Sequence, residues 1–327
     1  MRGGGYVHSL FDEIISLPNL FRAWRTFRRG KTRKTDVGRF EFTLEDNIFK
    51  LHRELLSGTY TPESYASFYV KDPKLRHIHK ASVRDRVLYQ AVFAVLYGIF
   101  DEHFIFDSYS SRNGKGTHAG NERVEDFLRK ATANWTRGAY ALKCDVRKFF
   151  DSIDHEILFS LIQNGVSDKK TLALIRLVLK SFEKSSGKGL PLGNVTSQLF
   201  ANMYMNEFDQ YVKHELKAVW YARYCDDFVI VNQSKETLKS YILKIREFLL
   251  QKLVLDLHPN KISLRKARQG IDFLGYVILP HRKVLRIKTK NRMLKKITEE
   301  NEASYKGILS HCKGKRIERE IDAILQK

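Results

Sequence analysis

The chain has 327 residues, with 58 Lys and Arg against 37 Asp and Glu, a formal charge of +21. Apolar residues make up 43% and charged residues 29%, which excludes a disordered chain, a mini-protein and a collagen-like repeat and predicts two or three subdomains. The basic surplus points to a polyanionic partner, nucleic acid ahead of an anionic membrane surface.

Met1 to Phe21 shows no basic segment followed by an apolar block, so no secretory signal is expected. The apolar run near Ala91–Phe100 is too short to span a bilayer. Cys144, Cys225 and Cys312 form no CxxC pair and no disulfide framework, which predicts a reduced, cytoplasmic setting.

Residues 20–35 contain no acid, and seven basic residues lie between Arg22 and Lys34. Arg22, Arg25, Arg28 and Arg29 are expected to grip phosphates, with Trp24 and Phe27 interleaved to stack on bases. The alternative is a solvated helix face with two aromatic core anchors. Residues 85–104 read as a core helix, with Val87, Leu88, Ala91, Val95, Ile99 and Phe100 at helical spacing. Arg112–Gly120 reads as a glycine-rich basic loop without P-loop spacing.

From Ala139 to Val146 apolar residues alternate with period two, a strand with Asp145 near its end on the opposite face from Leu142 and Cys144. Asp154 is placed to cap a following helix. Gly193 and Asn194 precede a longer helical pattern from Val195 to Leu216. Trp220–Val231 reads as two short strands with a tight turn at Cys225-Asp226-Asp227. Arg282 to Lys296 holds eight basic residues and no acid, a second electrostatic footprint with Arg282, Lys283, Arg286 and Lys288 as candidate nucleic-acid contacts.

Asp145, Asp226 and Asp227 thus sit on or between strands. Adjacent acids at a turn repel unless a cation offsets them, and hard oxygen donors suit Mg²⁺, with Mn²⁺ as a substitute. Two such ions ~4 Å apart can activate a primer 3′-hydroxyl and stabilise leaving pyrophosphate. An Asp-Asp pair alone is more often a solvated turn, so the flanking pattern decides.

That pattern resembles a reverse transcriptase from about Arg76 to Tyr276. Tyr224-Cys225-Asp226-Asp227 resembles the YxDD box, Asp145–Phe150 the first catalytic motif, and Leu190–Gln198 (LPLGNVTSQ) the LPxGxxxS box. Phe273-Leu274-Gly275-Tyr276 resembles the primer grip, and Arg76 with Arg84–Val87 the fingers, all in family order. The resemblance implies that Asp145, Asp226 and Asp227 hold two metal ions, Asp227 less directly. It implies Phe150 as the steric gate against a 2′-hydroxyl, with Phe149 a core residue. Arg76 and Lys71 would clamp the triphosphate, and Lys261 would protonate pyrophosphate. Asp151 and Asp154 are read as structural, Cys144 and Cys225 as buried fillers.

The box departs from the common form. It has Leu192-Gly193 and Ser197-Gln198 where Gln-Gly and Ser-Pro are usual. This variant resembles reverse transcriptases of diversity-generating retroelements of bacteria and phages, in the group II intron-like lineage. The resemblance implies error-prone copying of a template-repeat RNA at adenines, with primer, cDNA and dNTPs as ligands. It also implies a small basic accessory helical-bundle protein (an oligomeric accessory variability determinant), a cytoplasmic setting and no membrane partner. Leu192, Gly193 and Gln198 would contact the nucleotide. A Gln at 192 could hydrogen-bond it, whereas Leu only packs, a loss of ~1–3 kcal/mol in discrimination.

The expected fold is an α+β right-hand polymerase: a basic segment 1–35, fingers 36–137, a palm of antiparallel sheet and helices over 138–278, and a small helical, basic thumb 279–327. The length leaves no room for an RNase H, maturase or endonuclease extension. The competing readings are a group II intron-like, retron or phage-defence reverse transcriptase, a non-catalytic RNA-binding module on a polymerase fold, and a membrane-surface protein. The Leu192/Gln198 pair argues against the first, the intact acid set with Phe150 against the second, and the lack of an amphipathic anchor against the third.

Overall fold

A computed structural model describes residues 9–71 and 75–326. The first eight residues of the expected N-terminal segment lie outside these described residues. Four helices come first: α1 (Leu10–Ile15), α2 (Leu17–Arg28), α3 (Thr35–Phe42) and α4 (Leu44–Leu56). Antiparallel strands β1 (Ala66–Lys71) and β2 (Leu75–Lys80) follow, then α5 (Val83–Asp101) and α6 (Thr117–Ala131). The middle of the chain holds β3 (Tyr140–Asp145), α7 (Phe149–Ser152), α8 (His155–Gln163), α9 (Lys169–Lys180) and α10 (Val195–Gln210). The rest is β4 (Trp220–Tyr224), β5 (Asp227–Asn232), α11 (Lys235–Leu253), β6 (Ser263–Lys266), β7 (Ile271–Phe273), β8 (Tyr276–Leu279), β9 (Arg282–Leu285), α12 (Ile287–Lys296), α13 (Glu299–Leu309) and α14 (Lys315–Leu325). Among the described residues no helix is long and apolar enough to cross a membrane.

The chain divides into two units whose sequence segments interleave. The first comprises residues 1–104, 148–207 and 252–255; the second comprises 105–147, 208–251 and 256–327. β3 pairs with strands 80 or more residues downstream, all of them in the second unit.

In the first unit α2 packs on α5. Ser16 caps α2 by accepting from Asn19 N, and Asn19 Nδ2 donates to Ala91 O at 3.3 Å. Ser82 caps α5, the helix expected over 85–104. Asp85 within it is fully buried and accepts from Tyr60 Oη and Glu63 N, each at 2.8 Å, so its charge is satisfied rather than stranded.

In the second unit the sheet order is β4-β5-β3-β6, all antiparallel. The period-two alternation of β3 puts Leu142 and Cys144 on one face and Ala141, Lys143 and Asp145 on the other. Ala141 joins Ala222, Val229 and Val231 in a core with α6 residues Val124, Phe127 and Leu128. Residues 112–120 are only half the loop that glycine content suggests, because α6 already begins at Thr117. Gly120 lies inside that helix. A Cβ there would stand 3.2 Å from Leu274 and 3.3 Å from Tyr109, so glycine permits the close approach.

Candidate active site

The sheet register brings the acids together. β3 and β5 pair so that Asp145 lies directly opposite Asp227. β4 and β5 form a hairpin with Tyr224 opposite Asp227, leaving Cys225 and Asp226 as the loop. Cys225 has φ 57°, the left-handed region that favours glycine, at the first loop position. Val146 N donates to Asp226 O at 3.2 Å, which ties this loop to the chain just after Asp145. The turn is one residue tighter than expected, since Asp227 already belongs to β5.

Two lysines meet the acids. Lys261 Nζ is 2.5 Å from Asp145 Oδ1, and Lys143 Nζ is 3.2 Å from Asp227 Oδ2. Lys261 sits in a short turn, Pro259–Lys261, just before β6, and His258 N donates to Asp145 O at 2.8 Å. Burial raises the Asp226 carboxyl above its usual range and the charge of Asp145 adds to this, while Lys261 opposes it. Burial likewise pushes Asp227 up to about 6, against the pull of Lys143. Asp227 Oδ1 is buried without a hydrogen-bond partner. A cavity of 230 Å³ opens beside these groups, with Lys143, Asp145, Lys261, Ser263, Arg265 and Asp272 in its wall.

The donor set fits a hard divalent cation by its chemistry: crowded carboxylates that raise one another, and a buried carboxylate oxygen with no partner. No group of three or more His, Cys, Asp or Glu among the described residues is gathered to hold a metal ion. Two of the three expected aspartates pair with ammonium groups, Asp145 with Lys261 and Asp227 with Lys143.

The expected nucleotide contacts lie in the first unit. Arg76 and Leu192 line one cavity of 220 Å³, together with His79, Asp151, Phe182 and Lys184. Phe149 is buried, whereas Phe150 is half-exposed and its carbonyl accepts from Leu190 N at 2.8 Å. Leu192 is half-buried, Gly193 has φ 102°, and Gln198 is exposed on the first turns of α10. Lys71, at the end of β1, is exposed and outside the lining of that cavity. Asp154 caps α8 as expected, accepting from Glu156 N and Ile157 N.

The basic stretches need correction. Trp24 and Phe27 are 2% and 5% exposed, so they are core anchors and not base-stacking rings. Trp24 packs on Phe40 at 5.2 Å between ring centroids. Arg22, Arg25, Arg28 and Arg29 are exposed on α2 and at its end, with Arg28 paired to Glu41 at 2.5 Å. In the second stretch Arg282 and Lys288 are exposed. Lys283 is buried and paired with Glu125 at 3.3 Å, so it is spent within the fold, whereas Arg286 is half-exposed and pairs with Asp272. Cys144 is a buried filler, whereas Cys225 is half-buried in the strained turn.

Two features escaped the sequence reading. Lys143 carried a signal, a charge two residues before Asp145 on the same strand face. Arg223 and Asp209 each interrupt an apolar pattern, and both are fully buried. A charge inside an apolar stretch calls for a partner, but the sequence alone does not name it.

The family described as reverse transcriptase (RNA-dependent DNA polymerase) matches residues 70–278. Protein YkfC of Escherichia coli is 27% identical over 272 residues, covering 71% of this chain and 71% of that protein. The group II intron-encoded protein LtrA of Lactococcus lactis is 24% identical over 306 residues, covering 72% of this chain and 50% of LtrA, so the chain spans half of LtrA's length. Among solved structures, apo telomerase of Candida tropicalis aligns at 15% identity and a TM-score of 0.48, over 68% of this chain and 55% of that one.

Proposed function

Because the chain belongs to the reverse transcriptase (RNA-dependent DNA polymerase) family, we propose that it copies a template-repeat RNA into adenine-mutagenised cDNA that diversifies a target gene. Its fold is α+β, of the right-hand polymerase class. We assign the fingers to 36–137, the palm to 138–278 and the thumb to 279–327, after a basic segment that ends at residue 35. The observation that carries the mutagenic reading is the Leu192-Gly193 and Ser197-Gln198 variant of the nucleotide box, with Leu192 in the wall of the Arg76 cavity.

Asp145 and Asp226 would hold two Mg²⁺ ions, Asp227 less directly, and these ions would supply activation of the primer 3′-hydroxyl and charge neutralisation at pyrophosphate. Arg76 and Lys71 draw the triphosphate by charge. The Phe150 ring excludes a 2′-hydroxyl by bulk. Lys261 Nζ carries a proton for the leaving group. Leu192 packs on the nascent pair and offers no hydrogen bond, so mispairs meet less discrimination. A small basic accessory helical-bundle protein assists with the RNA.

A second reading, a group II intron-like reverse transcriptase, draws support from the likeness to LtrA. Sequencing cDNA made from the native RNA, with and without the accessory protein, separates the two. Errors concentrated opposite template adenine support the first; uniform fidelity supports the second. Primer extension with Mg²⁺ by wild type and Asp226→Ala tests the acid assignment, and equal activity overturns it.

A further inference from the structure

We propose that the buried Asp209–Arg223 pair is a positioning device that sets the backbone of the loop carrying Asp226. This rests on Asp226 acting at the reacting centre, as proposed above. Asp209, near the end of α10, and Arg223, in β4, are both 0% exposed, as are Tyr221 and Ser108 beside them. Arg223 Nε lies 2.7 Å from Asp209 Oδ1 and Nη2 lies 2.5 Å from Oδ2, a bidentate fork. Nη2 also donates to Ser108 Oγ at 3.1 Å, and Tyr221 Oη donates to Asp209 Oδ1 at 2.6 Å.

The remaining arm decides the role. Arg223 Nη1 donates to the carbonyl of Cys225 at 3.0 Å. That carbonyl belongs to the peptide joining Cys225 to Asp226. The next peptide is held from the other side, where Val146 N donates to Asp226 O at 3.2 Å. Both peptides flanking Asp226 are therefore fixed by hydrogen bonds.

The hold is needed because Cys225 sits at φ 57°, a left-handed conformation that strains any residue with a Cβ. Rotating the Cys225–Asp226 peptide would relieve the strain and re-aim the Asp226 carboxylate.

Arg223 is itself clamped. Its N donates to Asp107 O, and its O accepts from Tyr109 N, each at 2.9 Å. Replacing a buried ion pair by well-packed apolar residues of similar volume is often neutral or stabilising, so stability alone does not account for it. No atom of the pair reaches solvent, so its action on the reaction passes through the loop backbone.

Three variants test this in the full chain: Arg223→Lys, the apolar swap Asp209→Leu/Arg223→Met, and Asp226→Asn as reference. Read-outs are single-nucleotide incorporation, primer–template affinity and the thermal midpoint. A single ammonium cannot reproduce the planar fork that places Nε and Nη2 on Asp209 and Nη1 on the Cys225 carbonyl. Arg223→Lys is therefore expected to fold, bind primer–template as wild type does, and lose kcat about 100-fold at unchanged KM for dNTP. The swap takes these partners from the Tyr221 hydroxyl, Ser108 Oγ and the Cys225 carbonyl, so it is expected to fold but melt below wild type, with the same kcat loss. Adding Cys225→Gly to Arg223→Lys removes the strain and is expected to recover about tenfold. Wild-type kcat in a folded Arg223→Lys or swap overturns the positioning role. If Asp226→Asn itself retains activity, the acid assignment fails instead.

Discussion

Lys143 Nζ lies 3.2 Å from Asp227 Oδ2, reaching diagonally from β3 to β5 across the same sheet face that carries Asp145. The carboxylate it meets is half-buried, and its other oxygen is buried without a partner. Lys143→Met should therefore strand a charge and cost about 2 kcal/mol, more than a surface pair would. Lys143→Met/Asp227→Leu should regain most of that loss. Urea midpoints for the four proteins of the cycle check it; additive losses would refute the coupling.

His118 and His311 stack at 3.7 Å between ring centroids, linking α6 to the end of α13, with Tyr276 Oη 3.3 Å from His118 Nδ1. Burial lowers the His118 pKa below its ordinary 6.5, and the His311 charge lowers it further, partly offset by Glu122. A depressed folded pKa means the unfolded chain binds the proton more tightly. The stability from this contact is complete above about pH 6.5 and is lost as pH falls through the lowered folded value. Wild type should lose urea stability from pH 7 to 5 more steeply than His118→Phe. Parallel pH profiles would count against the linkage.

Trp24 and its neighbouring arginines should separate cleanly. Trp24→Ala removes a buried ring and is expected to cost about 3–5 kcal/mol. Arg25→Ala/Arg29→Ala should leave the melting temperature unchanged, weaken RNA binding, and reduce the slope of log affinity against log salt by up to about 2. A normal salt slope in the double variant would remove α2 from the nucleic-acid surface.

Leu192→Gln restores a hydrogen-bonding side chain in the wall of the Arg76 cavity. Errors opposite template adenine should fall by about 5- to 150-fold, the range that 1–3 kcal/mol permits. Counting substitutions in cDNA from one RNA template decides it, and an unchanged spectrum would clear Leu192 of any part in fidelity. Gln198→Pro tests the other half of the box in the same assay.

Much of this protein was legible without coordinates. Period two from Tyr140 to Asp145, the cap at Asp154 and the helical spacing after Val83 are local signals, set by backbone geometry and side-chain burial within a few residues. The order of motifs likewise named the family that matches residues 70–278. Partnership was not legible, because burial and ion pairing depend on residues far away in sequence. Trp24 could stack on a base or anchor the core, and its packing on Phe40 and that of α2 on α5 decided for the core. Lys283 looked like a surface charge until Glu125, 158 residues earlier, claimed it. Asp145 faces Asp227 through strand register, which no single segment encodes. Sequence determined which residues carry charge and which segments are helix or strand. Only the tertiary structure decided which charges face solvent and which hold one another, because that depends on contacts made across the whole sheet.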